Sequence, residues 1–408
     1  MKIALLALHF AEYASRLALA LSARHEVLLV LHKDNARSEL TDELRRTLEQ
    51  SVRVRYMELR RMRDPRVLLT GLALNRIIRE FSPDVLHMQE IHPVPGGSVL
   101  LWLHGTLPVV LTVHDPVSHS SDPRPDGLRW KARVWLRRWA SRLIVHGPRT
   151  RSDLESLDHR FAGKVDAIPH GLLGQAGNRR DAAGCEPATF LFFGRMEPYK
   201  GLRYLLDAAD ILQRRGRAVR LVLAGTGPDL QQHRARILSC GWIEMLDHYI
   251  PAAEVDSLFR RATAVVLPYT DATQSGVAAI ALANSRPVIS TAVGDLPDVV
   301  IEGRTGLLVP PCDGMALADA MQSLLVDRGL RDALAEGAGQ YAAERLSWAR
   351  IAELTEATYR RAIESHARRS GTHPAGRDLA EGPPDPPVSA RSGSTPSTET
   401  RQKRTGSY

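Results

Sequence analysis

Cysteine is scarce in this chain. There are three in 408 residues, Cys185, Cys240 and Cys312, with no C-x-x-C pair. A scattered, odd-numbered set excludes a disulfide framework and suits free thiols in a reducing compartment. No run of about 18 apolar residues occurs, which excludes a membrane-spanning helix. Metal-ligand spacings are absent as well: there is no D-x-D, no H-E-x-x-H and no closely spaced Cys/His group, so no metal and no cofactor is expected. The opening MKIALLALHFAEY has one lysine and only a short apolar run. A signal peptide needs a longer apolar region and a small-residue cleavage site, so the segment reads as the first strand of a sheet.

What is present is a chain of ordinary globular composition, 44% apolar and 25% charged, long enough for two domains with full cores. The net charge of +8 suits anionic partners, nucleotide phosphates or acidic lipid, without choosing between them. Short apolar runs alternate with amphipathic stretches. The first series of expected strands covers 3–8, 27–31, 52–59, 85–88, 109–114, 143–145 and 165–168, with helices over 11–23 and 67–81 among those between them. A second series covers 190–193, 221–224, 243–250, 264–267, 288–291 and 306–309. Such βαβα alternation predicts parallel sheets covered on both faces. The Gly/Arg/Ala-rich stretch 173–188 between the series reads as a linker, and 347–366 as a closing helix returning to the first domain. After that, Pro, Ser, Thr, Gly and Arg dominate 367–408, which reads as a disordered tail. The expected layout is therefore an α/β chain of two tandem Rossmann-like domains, 1–172 and 189–346, with a cleft between them.

The chemistry concentrates at strand ends. Residues 190–202, FLFFGRMEPYKGL, give a strand, a glycine turn at Gly194, two cations at Arg195 and Lys200, and a following helix. A glycine lets the backbone approach a ligand, arginine grips phosphate through a planar fork, lysine supplies a point charge, and a helix N-terminus favours an anion. The same residues would also serve an ordinary βα turn with surface cations. A second strand–glycine–helix turn, LVLAGTGPDL, carries Gly225, and a third, PYTDATQSG, carries Asp271, Thr273, Gln274, Ser275 and Gly276 ahead of Val277. Ser275, Gly276 and Val277 would aim first-turn amides at an anion, or Thr273 or Ser275 would merely cap the helix. With Arg195 and Lys200, a diphosphate clasped by two helix N-termini is the more economical reading.

His114 ends the strong strand VVLTVHDP, where it could donate to a substrate hydroxyl or oxyanion; a structural histidine is the alternative. His146 (VHGP) and His170 (IPHGL) stand at further strand ends and either line the cleft or make turns. The stretch 128–142, LRWKARVWLRRWASR, would either lie on an anionic membrane or, as we favour, face its tryptophans inward and leave its cations solvated.

The motifs GRMEPYKG, LVLAGTGP, TVHDP and LPYTDATQSGVAAIALANSRPVISTAVGDLPDVVIEGRTGLLV together resemble the family 4 glycosyltransferases of the GT-B fold, from residue 1 to about 366. The resemblance implies transfer of a sugar from a nucleotide diphosphate to a saccharide or lipid-linked hydroxyl, with retention and without a metal, in polysaccharide or glycolipid synthesis. It implies that Arg195 and Lys200 bind the diphosphate, that His114 lies beside the transferred sugar, and that the carboxyl-end loops of the second domain hold the nucleotide. It also implies a cytoplasmic chain, free or at the inner face of the membrane, with no nucleic-acid partner. A non-catalytic GT-B binding protein and a nucleotide-sugar epimerase are the alternatives. Two departures stand out. The glutamates the family carries eight positions apart are matched here by Ala272 and Ile280, leaving Asp271 and Gln274 as the nearest polar side chains. The Gly-Gly turn after the first strand is replaced by HFAEY, which puts His9 on the acceptor side.

Overall fold

The computed structural model describes residues 1–58, 67–90, 106–114, 127–172, 188–272 and 275–370. The first sheet contains β1 (Lys2–Ala7), β2 (Glu26–His32), β3 (Arg53–Met57), β4 (Val85–Gln89), β5 (Val109–Thr112), β6 (Arg142–Val145) and β7 (Val165–Ala167). The second contains β8 (Thr189–Phe193), β9 (Arg220–Ala224), β10 (Ile243–Leu246), β11 (Ala264–Leu267), β12 (Val288–Thr291) and β13 (Gly306–Val309). Their orders are β3-β2-β1-β4-β5-β6-β7 and β10-β9-β8-β11-β12-β13, with the pairings parallel. The two-sheet α/β architecture is thus the one that the alternation predicts.

Both faces of these sheets are covered, which explains the unbroken apolar runs. In β1, Ile3, Leu5 and Ala7 join one core cluster while Ala4 and Leu6 join another on the opposite face. Successive strand side chains point to opposite faces, so a sheet buried twice must be apolar throughout. Several strands, β10 and β5 among them, are shorter than the apolar runs suggested. β10 ends at Leu246, where Asp247 takes Gln231 and Arg234 as partners and leaves the ladder. β5 ends at Thr112, which puts His114 on the loop beyond it.

The helix Trp348–Ser370 packs on the first sheet. Ile351, Ala352, Tyr359 and Ala362 recur at helical spacing and join the cluster that contains Ile3 and Leu5. The Tyr359 hydroxyl meets His87 Nδ1 at 2.7 Å, and the Trp348 indole donates to the Leu172 carbonyl at 2.6 Å. This helix runs past residue 366 to Ser370, so the boundary expected there is corrected; the rest of the expected tail, 371–408, and the linker over 173–187 lie outside the described residues.

The basic aromatic stretch forms the helix Gly127–Trp139. Leu136 is buried, and the half-buried Trp135 and Trp139 rings pair at 4.7 Å. Lys131 and Arg133 are exposed, but Arg137 is not solvated as expected: it is wholly buried, donating to Glu90 at 2.7 and 3.0 Å. A guanidinium tolerates such burial because a carboxylate matches its fork.

Candidate active site

In the second sheet, β8 and β11 are neighbours, and the chain winds outward from them in opposite directions. That reversal leaves a crevice outside their carboxyl ends, the place where open α/β sheets bind ligands. Gly194, Arg195 and Lys200 follow β8, and the 268–276 loop follows β11, so the two motifs flank this crevice. Gly201 has φ of 70°, and a Cβ there would lie 2.0 Å from the Pro268 carbonyl oxygen. Only glycine allows the loops to press together in this way. The Thr270 amide completes the junction by donating to the Tyr199 carbonyl at 2.7 Å.

Lys200 ends a short 3₁₀ turn, Pro198–Lys200, and is 8% exposed. Its ammonium reaches back toward Gly194, where an added Cβ would lie 3.0 Å from Nζ and 3.7 Å from a Val277 methyl. Gly194, Lys200 and Val277 therefore meet at one point. Among the described residues Lys200 has no ion pair; its ammonium lies 5.4 Å from the Tyr269 ring centroid. Burial, and then the Arg195 charge, push its pKa down to about 8. Arg195 itself is exposed, with no carboxylate partner among the described residues. Glu197 offsets part of this positive charge, and the remaining excess of two neighbouring cations favours an anionic ligand.

The helix Gly276–Ala283 points its N-terminus at the same spot. The Ser275 hydroxyl accepts from the Ala278 amide at 3.4 Å, so the capping role is real, while the first-turn amides have no intrahelical partner. At the other expected helix start, that of Leu202–Arg214, the Leu202 amide lies near the buried Asp229 carboxylate and favours its charged form. Gly225 sits directly beside this pair of loops: with φ of 135°, its Cβ would fall 2.0 Å from the Gly194 carbonyl oxygen. Asp271 is half-buried and has a partner of its own; Thr273 and Gln274 lie outside the described residues.

In the first sheet the three histidines converge. His114, His146 and His170 lie just beyond the carboxyl ends of adjacent β5, β6 and β7. His114 Nε2 contacts Gln89 Oε1 at 2.8 Å, and His146 Nε2 lies 3.1 Å from His114 Nδ1. Phe10 stacks on His114 with centroids 3.8 Å apart, and Tyr13 packs against all three imidazoles. Burial pushes His114 well below the ordinary histidine range, helped by the neighbouring histidines, and takes His170 down to about 4. Both ring nitrogens of His114 are thus engaged within the protein, so its side chain lines the site rather than offering a free donor. His9 is exposed at the end of β1, followed by Phe10 in the left-handed region at φ 61°.

The comparisons with known proteins converge on one family. The family model described as Glycosyltransferase Family 4 matches residues 11–172, and the one described as Glycosyl transferases group 1 matches 187–327. This chain belongs to the family 4 glycosyltransferases, which have the GT-B fold. It is 31% identical over 240 residues to D-inositol 3-phosphate glycosyltransferase of Paenarthrobacter aurescens, a match that covers 55% of this chain and 58% of that relative. Sucrose-phosphate synthase of Thermosynechococcus elongatus has the same fold, with a TM-score of 0.70 at 20% identity over 90% of this chain and 100% of that one. Anabaena HepE in complex with UDP-glucose shares it too, with a TM-score of 0.67 at 18% identity over 88% of this chain and 99% of HepE.

Ala272 and Ile280, the positions expected to match the family's glutamates, are buried within the apolar core of the second sheet. One important residue carried no signal in the sequence. The helix Pro148–Leu157 begins after Gly147, which has no capping side chain. Asp295, distant in sequence, supplies the cap: its carboxylate accepts from the amide of Arg149 at 2.8 Å, from that of Thr150 at 3.2 Å, and from the Thr150 hydroxyl. A Cβ at Gly147 would strike this carboxylate, so the glycine is the space that Asp295 fills. The contact ties the loop after β12 to the helix after β6, beside a cavity lined by His146, His170, Ser275 and Asp295.

Proposed function

We propose that this chain transfers a sugar from a nucleotide diphosphate donor to a hydroxyl acceptor with retention of configuration. The observation that carries the reading is Lys200: a buried ammonium that forms no ion pair among the described residues, with the Glu197 charge only partly offsetting its burial, facing Gly194 and the start of the helix Gly276–Ala283, with Arg195 beside it. A protein holds such a charge at a cost of several kcal/mol unless an anionic ligand offsets it. The diphosphate would lie between Lys200, Arg195 and the first-turn amides of Gly276 and Val277. In the reaction the bond from the anomeric carbon to the diphosphate oxygen breaks, and the acceptor oxygen bonds to that carbon. The acceptor proton passes to the departing phosphate oxygen. Arg195 and Lys200 neutralise charge that grows on the leaving group, the kind of stabilisation that supplies the largest share of many rate enhancements. The sugar would sit toward His114, with His9, His146 and His170 on the acceptor side; that HepE was solved with UDP-glucose supports such a donor.

The acceptor is a saccharide or lipid-linked hydroxyl in this reading, and the chain acts in the cytoplasm. The apolar Ala272 and Ile280 favour one rival, a non-catalytic binding protein of the same fold. Mass spectrometry of a nucleotide-sugar panel with and without acceptors separates them. Transfer or slow donor hydrolysis is expected, and a chain that leaves every donor intact is only a binder.

The same apolar positions set nucleotide selectivity. With Ile280 in the core, the ribose loses a charge-assisted bond, and rejection of a missing hydroxyl comes from polar groups left unpaired. Calorimetric titration should therefore show little difference between a nucleoside diphosphate and its 2′-deoxy form. Removing the second phosphate should weaken binding by roughly tenfold or more, the worth of a charge-assisted contact of about 1.5–3 kcal/mol. A large deoxy penalty with an unchanged monophosphate affinity would contradict this assignment of the loop.

A further inference from the structure

The first sheet has a crevice of its own. The chain winds from β1 through β2 to β3, then returns to β4 on the other side of β1. That reversal opens a crevice outside the carboxyl ends of β1 and β4, flanked by His9 and Phe10 after β1 and by Glu90 after β4. Phe10 breaks two local rules there. It stands at φ 61°, a region that bulky side chains avoid. It also precedes the helix Ala11–Ser22, where it offers no capping side chain. Asparagine would meet both needs. What phenylalanine adds is a ring: one face is stacked on His114, and the residue remains 37% exposed. Strained backbone of this kind clusters where ligands are held.

The helix start beside Phe10 is already filled. The Ala11 amide donates to Asn35 Oδ1 at 3.0 Å, and the Glu12 amide donates to Glu39 Oε2 at 3.2 Å. Asn35 Nδ2 holds the other oxygen of Glu39 at 2.5 Å. The Tyr249 hydroxyl, from the loop after β10, donates to the neighbouring Ser38 carbonyl at 3.1 Å. A helix N-terminus is where a phosphate docks most readily, and here the chain's own carboxylate occupies it. Arg16 on the same helix pairs with Glu12, and Arg137 neutralises Glu90. Given the transfer reading above, on which this rests, we propose that the acceptor is an uncharged saccharide whose ring stacks on Phe10, and that Glu39 excludes acceptors bearing a phosphate there. An aromatic face suits the apolar C–H face of a pyranose, and a fixed carboxylate is the repulsive element that discrimination requires.

The test offers the full chain, with a nucleotide-sugar panel, glucose and maltose each beside its monophosphate. Transfer to the free sugars is expected to exceed transfer to the phosphates by tenfold or more; equal or faster transfer to the phosphates overturns the proposal. Phe10→Asn should raise KM for the acceptor, not for the donor, by roughly tenfold, while Phe10→Tyr keeps the wild-type value. Two further measurements need no turnover. The melting temperature of Phe10→Asn should hold or rise, because asparagine tolerates the backbone and caps the helix. A fall of several degrees shows that the ring serves packing and overturns its assignment. Titration with inorganic phosphate, followed through the amide resonances of Ala11 and Glu12, should leave the wild type unmoved and shift Glu39→Ala saturably. A saturable shift in the wild type, or none in Glu39→Ala, overturns the role of Glu39. A chain that consumes no donor fails the transfer reading, and these two measurements still decide what Phe10 and Glu39 do.

Discussion

Lys200→Ala and Arg195→Ala are each expected to lower sugar transfer by roughly tenfold or more while the protein stays folded. Each removes one charge-assisted phosphate contact worth about 1.5–3 kcal/mol, and about 1.4 kcal/mol is a factor of ten. The loss should appear in kcat as well as in donor affinity, because the charge on the diphosphate is greatest as it departs. Stability should move the other way at Lys200. Its ammonium is buried with no ion pair among the described residues, so alanine relieves a desolvation cost, and the melting temperature of the free protein should hold or rise. Wild-type rates in both variants would remove the central claim.

A pH profile gives an independent check on Lys200. With a pKa of about 8 in the free protein, its charge is present below that pH and lost above it. The value of kcat/KM should therefore fall as pH rises through about 8, and Lys200→Ala should lack that limb. Stability has the opposite sign. The folded chain holds this proton less tightly than the unfolded one, so the free protein gains stability as pH rises from about 8 toward the ordinary lysine value. A bound diphosphate should move the activity limb to higher pH by stabilising the ammonium.

Asp295→Ala should be the most destabilising single change outside the cores. It strips the helix Pro148–Leu157 of its side-chain cap and leaves the Thr150 hydroxyl and two amides without their acceptor. Loss of a cap costs about 1–2 kcal/mol, and these groups are buried or half-buried, so a fall of about 2–3 kcal/mol is expected. A drop of several degrees in melting temperature and faster hydrogen exchange in Arg149 and Thr150 should follow. Because Asp295 joins elements of the two sheets beside the cavity, KM for the donor should rise as well. Asp295→Asn keeps an acceptor oxygen and should recover part of the loss. An unchanged melting temperature in Asp295→Ala would show that water replaces the carboxylate.

Much of this was determined by the sequence alone, where the determining forces are local. Strand positions follow from apolar runs bounded by turn residues, because a twice-covered parallel strand must be apolar at every position. Gly194, Gly201 and Gly225 mark backbone that needs positive φ or close approach, and Lys200 and Arg195 are cations in a fixed spacing after a strand. The tertiary structure decided what depends on strand order. It put β8 beside β11 and so opened the crevice between their loops. It set β5, β6 and β7 side by side, which gathered three histidines that the sequence presents only as separate strand ends. It also brought Asp295 to a helix start that lacks a cap of its own. Spacing along the chain is blind to these partners, because long stretches of chain separate neighbouring strands and the sheet then rejoins their ends.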